Sequence, residues 1–315
     1  MNRRCFLATL SVALAKSAST LPANKNVKWA LSLGLWDHFR PALFTEILDV
    51  MRDTGFIGLR LTGFPRCFER FDMPPSRMEK EVSKRNLYIC TISFNAPSND
   101  ASQVSKIISD ARRAMTFLKM FGAKELVVFS PSRLPDNVDT MQQFDNMCEC
   151  LARLGELAGE MGFRAGLHNH LGQMVERPPE IDLVMAKLNP RVFYLAPDTA
   201  HLHLAGGDVV KTLEKYKQRL CFADYKDARW TQPPADVVED SGKVHPKDSR
   251  EARFLSSIFD LGAGEIDFPG CHRVLKDISY RGWLCVDLDT ARQGPRISYE
   301  RSGAYVVNKL EPIYQ

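Results

Sequence analysis

The sequence predicts an α/β protein: a single (β/α)8 barrel over residues 27–315, preceded by an N-terminal signal peptide. Three observations predict it. Eight short apolar, β-rich runs alternate with stretches of helical period, the pattern of a parallel sheet wrapped by helices. No Gly-x-Gly-x-x-Gly follows the first run, which argues against the alternative, a doubly wound sheet. The polar residues gather at the C-terminal ends of the runs, where barrels of this kind carry their chemistry.

The runs are 27–36, 56–63, 87–93, 125–130, 163–170, 192–199, 220–228 and 282–290. Between them lie amphipathic segments such as MQQFDNMCECLARLGELAGEMG and DVVKTLEKYKQR, most of them ending in Gly, Asn or a basic residue as helix C-termini do. Asp267 is placed to cap a helix starting at Phe268. The one long irregular piece, 229–260, is polar and contains Pro233-Pro234. It reads as an insertion after strand seven, a lid or substrate wall at the barrel mouth.

Residues 1–25 read differently. Arg3-Arg4 precedes a short apolar run, Phe6 to Ala15, and then small residues. That layout resembles a twin-arginine export signal, with an ordinary secretory signal as the alternative. The run is shorter than the roughly 20 apolar residues a spanning helix needs. The expectation is therefore an exported, periplasmic protein whose mature form has no membrane segment. The net charge of +4 is small, and no basic stripe with interleaved aromatics occurs, which excludes a nucleic-acid partner. The eight cysteines form no CxxC; Cys90, Cys221 and Cys285 sit in apolar runs and Cys148 and Cys150 in a helical pattern, so they read mostly as small buried hydrophobes, with one or two disulfides as the alternative.

The strand ends hold the candidate site. His168 and His170 close strand five, and Asp198 closes strand six with His201 and His203 just beyond. Asp224 and Lys226 close strand seven, Asp287 and Asp289 close strand eight, and Arg60 lies near the end of strand two. Side chains two apart on a strand share a face, so in each of the pairs His168/His170, Asp224/Lys226 and Asp287/Asp289 one residue points inward if the other does, and inward pairs would crowd one funnel with Asp198. Carboxylates at that density repel one another. A divalent cation, Lys226 and Arg60 are the available compensation. A set of one His and several carboxylates suits Mn²⁺, Mg²⁺, Co²⁺ or Zn²⁺. Trp36 and His38, after strand one, could add an apolar wall and a hydrogen bond, and Glu265 a mouth contact.

LHNHLGQ, LAPDTAHLHLAGGDVVKTLEKY, DYKDARW and LGAGEIDFPGCHRVLKDISYRGWLCVDLD together resemble the sugar phosphate isomerase/epimerase family. This is the xylose isomerase-like TIM-barrel group that includes inosose dehydratase and ketose 3-epimerases. The resemblance implies one divalent ion held at positions that match His168, Asp198, Asp224 and Asp287. It implies a substrate contact at His201 and a role for Lys226. The chain departs from the family pattern at strand seven, where Phe222-Ala223-Asp224 stands for the usual His-Val-His, and at strand eight, where Asp287 replaces Glu.

The implied chemistry is proton abstraction next to a carbonyl of a small-molecule carbohydrate. His168, Asp287 and Lys226 are the candidate catalytic residues; Arg60, His170, His201, Trp36 and Glu265 are the candidate substrate contacts. Unequal groups at His168 and Asp287 favour a lyase or dehydratase acting on a keto-sugar, keto-glycoside or inosose. A sugar isomerase/epimerase and a metal-free, non-catalytic carbohydrate-binding barrel are the alternatives. The sequence leaves homo-oligomerisation open.

Overall fold

The computed structural model describes residues 20–39, 42–135 and 140–315. Most of the twin-arginine-like segment, 1–19, lies outside the described residues. The barrel strands are β1 Lys28–Ser32, β2 Gly58–Leu61, β3 Tyr88–Asn95, β4 Glu125–Phe129, β5 Arg164–His168, β6 Phe193–Leu195, β7 Ala223–Tyr225 and β8 Trp283–Val286. They hydrogen-bond in the order β6-β5-β4-β3-β2-β1-β8-β7, all parallel. The seam between β6 and β7 is joined by two isolated parallel bridges, Leu195 with Leu220 and Asp198 with Asp224. There Cys221 N donates to Leu195 O at 3.1 Å and Asp224 N to Pro197 O at 2.9 Å. All eight strands observed fall within the runs marked in the sequence, apart from the last residues of β3.

Strands covered on both faces must be apolar along their length, and every residue of β2, β4, β7 and β8 is buried. The helices add one apolar stripe each. On the helix Met141–Glu160 it runs through Met147, Cys150, Leu151, Leu154 and Ala158, the spacing that keeps one side of a 3.6-residue helix facing the sheet. Asp267 caps the helix Phe268–Asp277 as the sequence predicts, accepting from Gly270 N at 2.8 Å. Seven cysteines are described, and all are buried. Among the described residues no helix is long and apolar enough to cross a membrane.

The stretch 229–260 stays at the barrel mouth because both of its ends are tied to the tip of β7. Ile258–Phe259 pairs antiparallel with Asp227–Ala228. Between these ends lie a small ribbon, Val237–Val238 against Val244–His245, and the helix Arg250–Ser256. Asp227 then organises the next loop. Its carboxylate accepts from Ala228 N, Gly262 N, Gly264 N and Ile266 N at 2.8–3.3 Å. A Cβ on Gly264 would lie 2.2 Å from Asp227 Oδ1, and Gly262 has φ +85°, so this loop needs glycine at both places.

Candidate active site

Strand parity delivers the pairs to one place. Lys226 Nζ lies 3.3 Å from Asp198 Oδ2, 2.8 Å from Asp287 Oδ2 and 2.7 Å from Asp289 Oδ2. It also donates toward His201 Nε2 at 3.3 Å. Arg60 enters from β2. Its Nη2 lies 2.7 Å from Asp287 Oδ2 and its Nε 3.2 Å from Asp224 Oδ1. Ser93 and Ser32 accept from Nη1 and Nη2 at 2.9 and 3.0 Å. His168 Nδ1 sits 3.2 Å from Asp224 Oδ2. Arg60, His168, Asp198, His201, Asp224, Lys226 and Asp287 are all buried.

Burial and charge set the protonation states. Loss of water pushes the Asp198 carboxyl up to about 6, against Lys226, and Asp224 up to about 7, against Arg60. At Asp287 burial acts in the same direction, but Arg60 and Lys226 together outweigh it and hold the carboxyl well below the usual range. Lys226 and Arg60 stay charged despite burial because aspartates surround them. Burial drives His168 down to about 3, His170 to about 4 and His201 well below its ordinary value. Three neutral imidazoles thus keep lone pairs available.

The residues present fit a divalent ion. One donor atom from each of His168, Asp198 and Asp224 lies within 4.8 Å of the other two. His168 Nδ1, Asp198 Oδ2 and both Asp224 carboxylate oxygens are buried, and none makes a hydrogen bond of acceptable geometry. Aspartates 198, 224, 287 and 289 face the two cations Lys226 and Arg60, and a divalent ion beside Asp198 and Asp224 would favour the ionised form of the two carboxyls that burial raises. Asp287 stands outside this trio. The sequence aligns its position with the other three, but its carboxylate is held by Arg60 and Lys226.

The remaining candidates divide. His170 stacks on His201 with ring centroids 3.7 Å apart. Phe254, from the 229–260 insertion, also stacks on His201, with centroids 5.2 Å apart and the rings nearly parallel. Trp36 is buried against Tyr299 and borders a mouth cavity of about 1230 Å³ that touches the cluster through Asp289. A second cavity of about 730 Å³ is lined by His170, His201, Phe254 and Asp289. Glu265 is exposed, lies 3.7 Å from His203 and lines neither cavity.

Sequence reasoning missed several supports. Asn169 Oδ1 accepts from Asp198 N at 3.0 Å, and its Nδ2 donates to Asp198 O at 3.2 Å, which fixes the tip of strand six to strand five. Thr199 Oγ1 exchanges hydrogen bonds with the Lys226 backbone at 2.8 and 2.9 Å. Both residues sit beside a marked one, and that adjacency was the only available signal.

A model of the xylose isomerase-like TIM barrel family matches residues 48–305. An inosose dehydratase of Bacillus velezensis is 29% identical over 266 residues, covering 81% of this chain and 83% of that protein. Among solved structures, a probable 3-DHS dehydratase from Bacillus anthracis superposes with a TM-score of 0.70 at 12% identity, over 90% of this chain and all of the other. The IOLI protein, solved with a zinc atom, gives 0.66 at 14% identity, over 91% and 96% of the two chains. At these identities the structural matches establish the shared barrel.

Proposed function

Since this chain belongs to the xylose isomerase-like TIM barrel family, we propose that it is a metal-dependent lyase that dehydrates a keto-sugar, keto-glycoside or inosose. The observation that carries the reading is the convergence of His168, Asp198 and Asp224 donor atoms within 4.8 Å at the mouth. Its relatives include inosose dehydratases, which supports both the reaction class and the carbohydrate substrate.

A bound divalent ion polarises a carbonyl and makes the neighbouring C–H more acidic. The protein's own residues do the rest. Lys226, charged and fixed by three aspartates, sets a positive charge beside the oxygen on which negative charge grows. Asp287 is kept ionised and is the candidate proton acceptor, at a basicity that Arg60 and Lys226 lower. The His170–His201–Phe254 stack forms one wall of the cavity in which a sugar ring would lie. His168 and Asp287 differ in charge, and this inequality favours elimination over epimerisation, which uses two like groups on opposite faces of one carbon. Read with the twin-arginine-like segment 1–25 as an export signal, the substrate is a free sugar or glycoside without phosphate.

The test is incubation with an inosose and with 3-keto sugars in deuterated water, alongside metal analysis of protein purified without chelators. An unsaturated or diketone product supports the dehydratase. Deuterium in recovered, unchanged sugar establishes the epimerase instead. Metal-free protein inert toward every substrate overturns both readings.

A further inference from the structure

Outside the cluster, the mouth carries a second set of titratable side chains. Glu239, at the turn of the 237–245 ribbon, places Oε1 3.1 Å from His38 Nδ1 and 2.6 Å from His245 Nε2. Its Oε2 accepts from Ser241 Oγ at 2.9 Å. Only 6% of the Glu239 side chain is exposed. Burial would push the carboxyl up, but hydrogen bonds from His245, His38 and Ser241 prevail and hold it down at about 2. An ionised carboxylate only accepts hydrogen bonds, so both imidazoles must present N–H to the same oxygen. That sets the tautomer of His38. The proton is on Nδ1, and the Nε2 lone pair is left for a ligand. His38 borders both mouth cavities, as does Asp289, and Asp289 Oδ2 is 2.7 Å from Lys226 Nζ. The imidazole therefore shares its space with a residue in direct contact with the cluster.

We propose that His38 is a further catalytic residue, exchanging a proton with a substrate hydroxyl at the mouth, and that Glu239 is the positioning residue behind it. The proposal rests on the carbohydrate reading given above. A carboxylate that fixes the ring and tautomer of an imidazole is the usual support for a general acid or base. In the elimination, the base takes the proton next to the carbonyl and passes it through solvent to the Nε2 lone pair of His38. His38, its Nδ1–H held by Glu239, gives that Nε2 proton to the departing oxygen as the C–O bond breaks; the oxygen leaves as water and His38 is again the neutral Nδ1–H form. Substrate then yields product and one water, with the protein unchanged.

The experiment uses the full chain with two probes, 2-keto-myo-inositol and methyl 3-keto-β-D-glucopyranoside. Turnover and ¹⁵N-histidine NMR are the readouts. The wild-type His38 signal is expected to be that of the Nδ1–H tautomer, with Glu239→Gln mixing in the other form. His38→Gln should lower kcat by roughly 100-fold or more with little change in KM, and Glu239→Gln should lower it less. A His38→Gln enzyme within about threefold of wild-type kcat overturns the proposal and leaves the carbohydrate reading standing. If the wild type turns over neither probe, the carbohydrate reading fails. The proposal then falls with it, because it sets His38 against the hydroxyl of a carbohydrate that is turned over.

Discussion

Arg60 Nη2 and Asp287 Oδ2 stand 2.7 Å apart, in a pair sealed from solvent on both sides. One residue comes from β2 and the other follows β8, so the pair reaches past β1, which lies between those strands. The same guanidinium touches Asp224. Arg60→Met should cost about 3–5 kcal/mol of stability, because it strands buried negative charge. Urea unfolding measures this. Added Mn²⁺ should recover more stability in the variant than in the wild type. A loss below about 1 kcal/mol would mean that the charges are balanced in another way.

Asp198 serves twice. Its Oδ2 belongs to the donor trio, and its Oδ1 accepts from His201 N at 2.9 Å, capping the helix Thr199–Leu204. Asp198→Asn keeps a capping oxygen and removes the charge, while Asp198→Ala removes both. Both variants should purify without metal, and the Ala form should be less stable by about a further 1 kcal/mol. Full metal stoichiometry in the Asn variant, measured by elemental analysis, would refute the assigned site.

His272 gives a pH prediction away from the mouth. It stacks on Trp29, contacts Tyr225 Oη at 3.2 Å, and burial lowers it from 6.5 to about 3. Between pH 6.5 and 3 the unfolded chain holds a proton that the native state does not, so stability falls as pH falls through that window. The contribution approaches one proton, or about 1.4 kcal/mol per pH unit. His272→Gln should flatten the stability profile between pH 6 and 4 by that amount. An identical slope in the two proteins contradicts the assignment.

Asp227→Asn should destabilise the protein by about 2–4 kcal/mol. An amide offers one oxygen where the carboxylate serves four backbone N–H groups, and hydrogen bonds to charged groups are the stronger kind. Thermal unfolding tests this, and hydrogen exchange should show faster opening at Gly262–Ile266. Unchanged protection there would show that the loop is held by its own turns.

The barrel and its strand tips were legible because both follow from period. Alternation marked the strands, and two-residue parity put Lys226 with Asp224 and Asp289 with Asp287 before any contact was known. Parity says which face a side chain takes, not whom it meets. The ion-pair partners of Arg60 lie more than 160 residues away in the chain, and only the closure of β1 between β2 and β8 brings them together. The separation of Asp287 from the metal-type trio has the same origin, since two cations reach its carboxylate from other strands. Glu265 misled because a glycine-rich loop near a mouth carries no directional signal. Its side chain turned outward, while its neighbours' backbone was taken by Asp227. The Glu239–His38 contact spans 201 positions and starts in an insertion without periodicity, where sequence offers nothing to align.

The junction of β6 and β7 differs from the other seven. Where the others are stitched by runs of backbone pairing, this one is fastened at two points, and the upper fastening is the pair Asp198 and Asp224 themselves. The stave joint with the fewest stitches is thus the one that carries two of the three ion-type donors. An ion spanning them would act as a rivet across that joint. Loading the protein with Zn²⁺ should then slow amide exchange at Cys221 and Asp224 far more than at the joint between β3 and β4, coupling the closure of the whole stave ring to the filling of a single pocket.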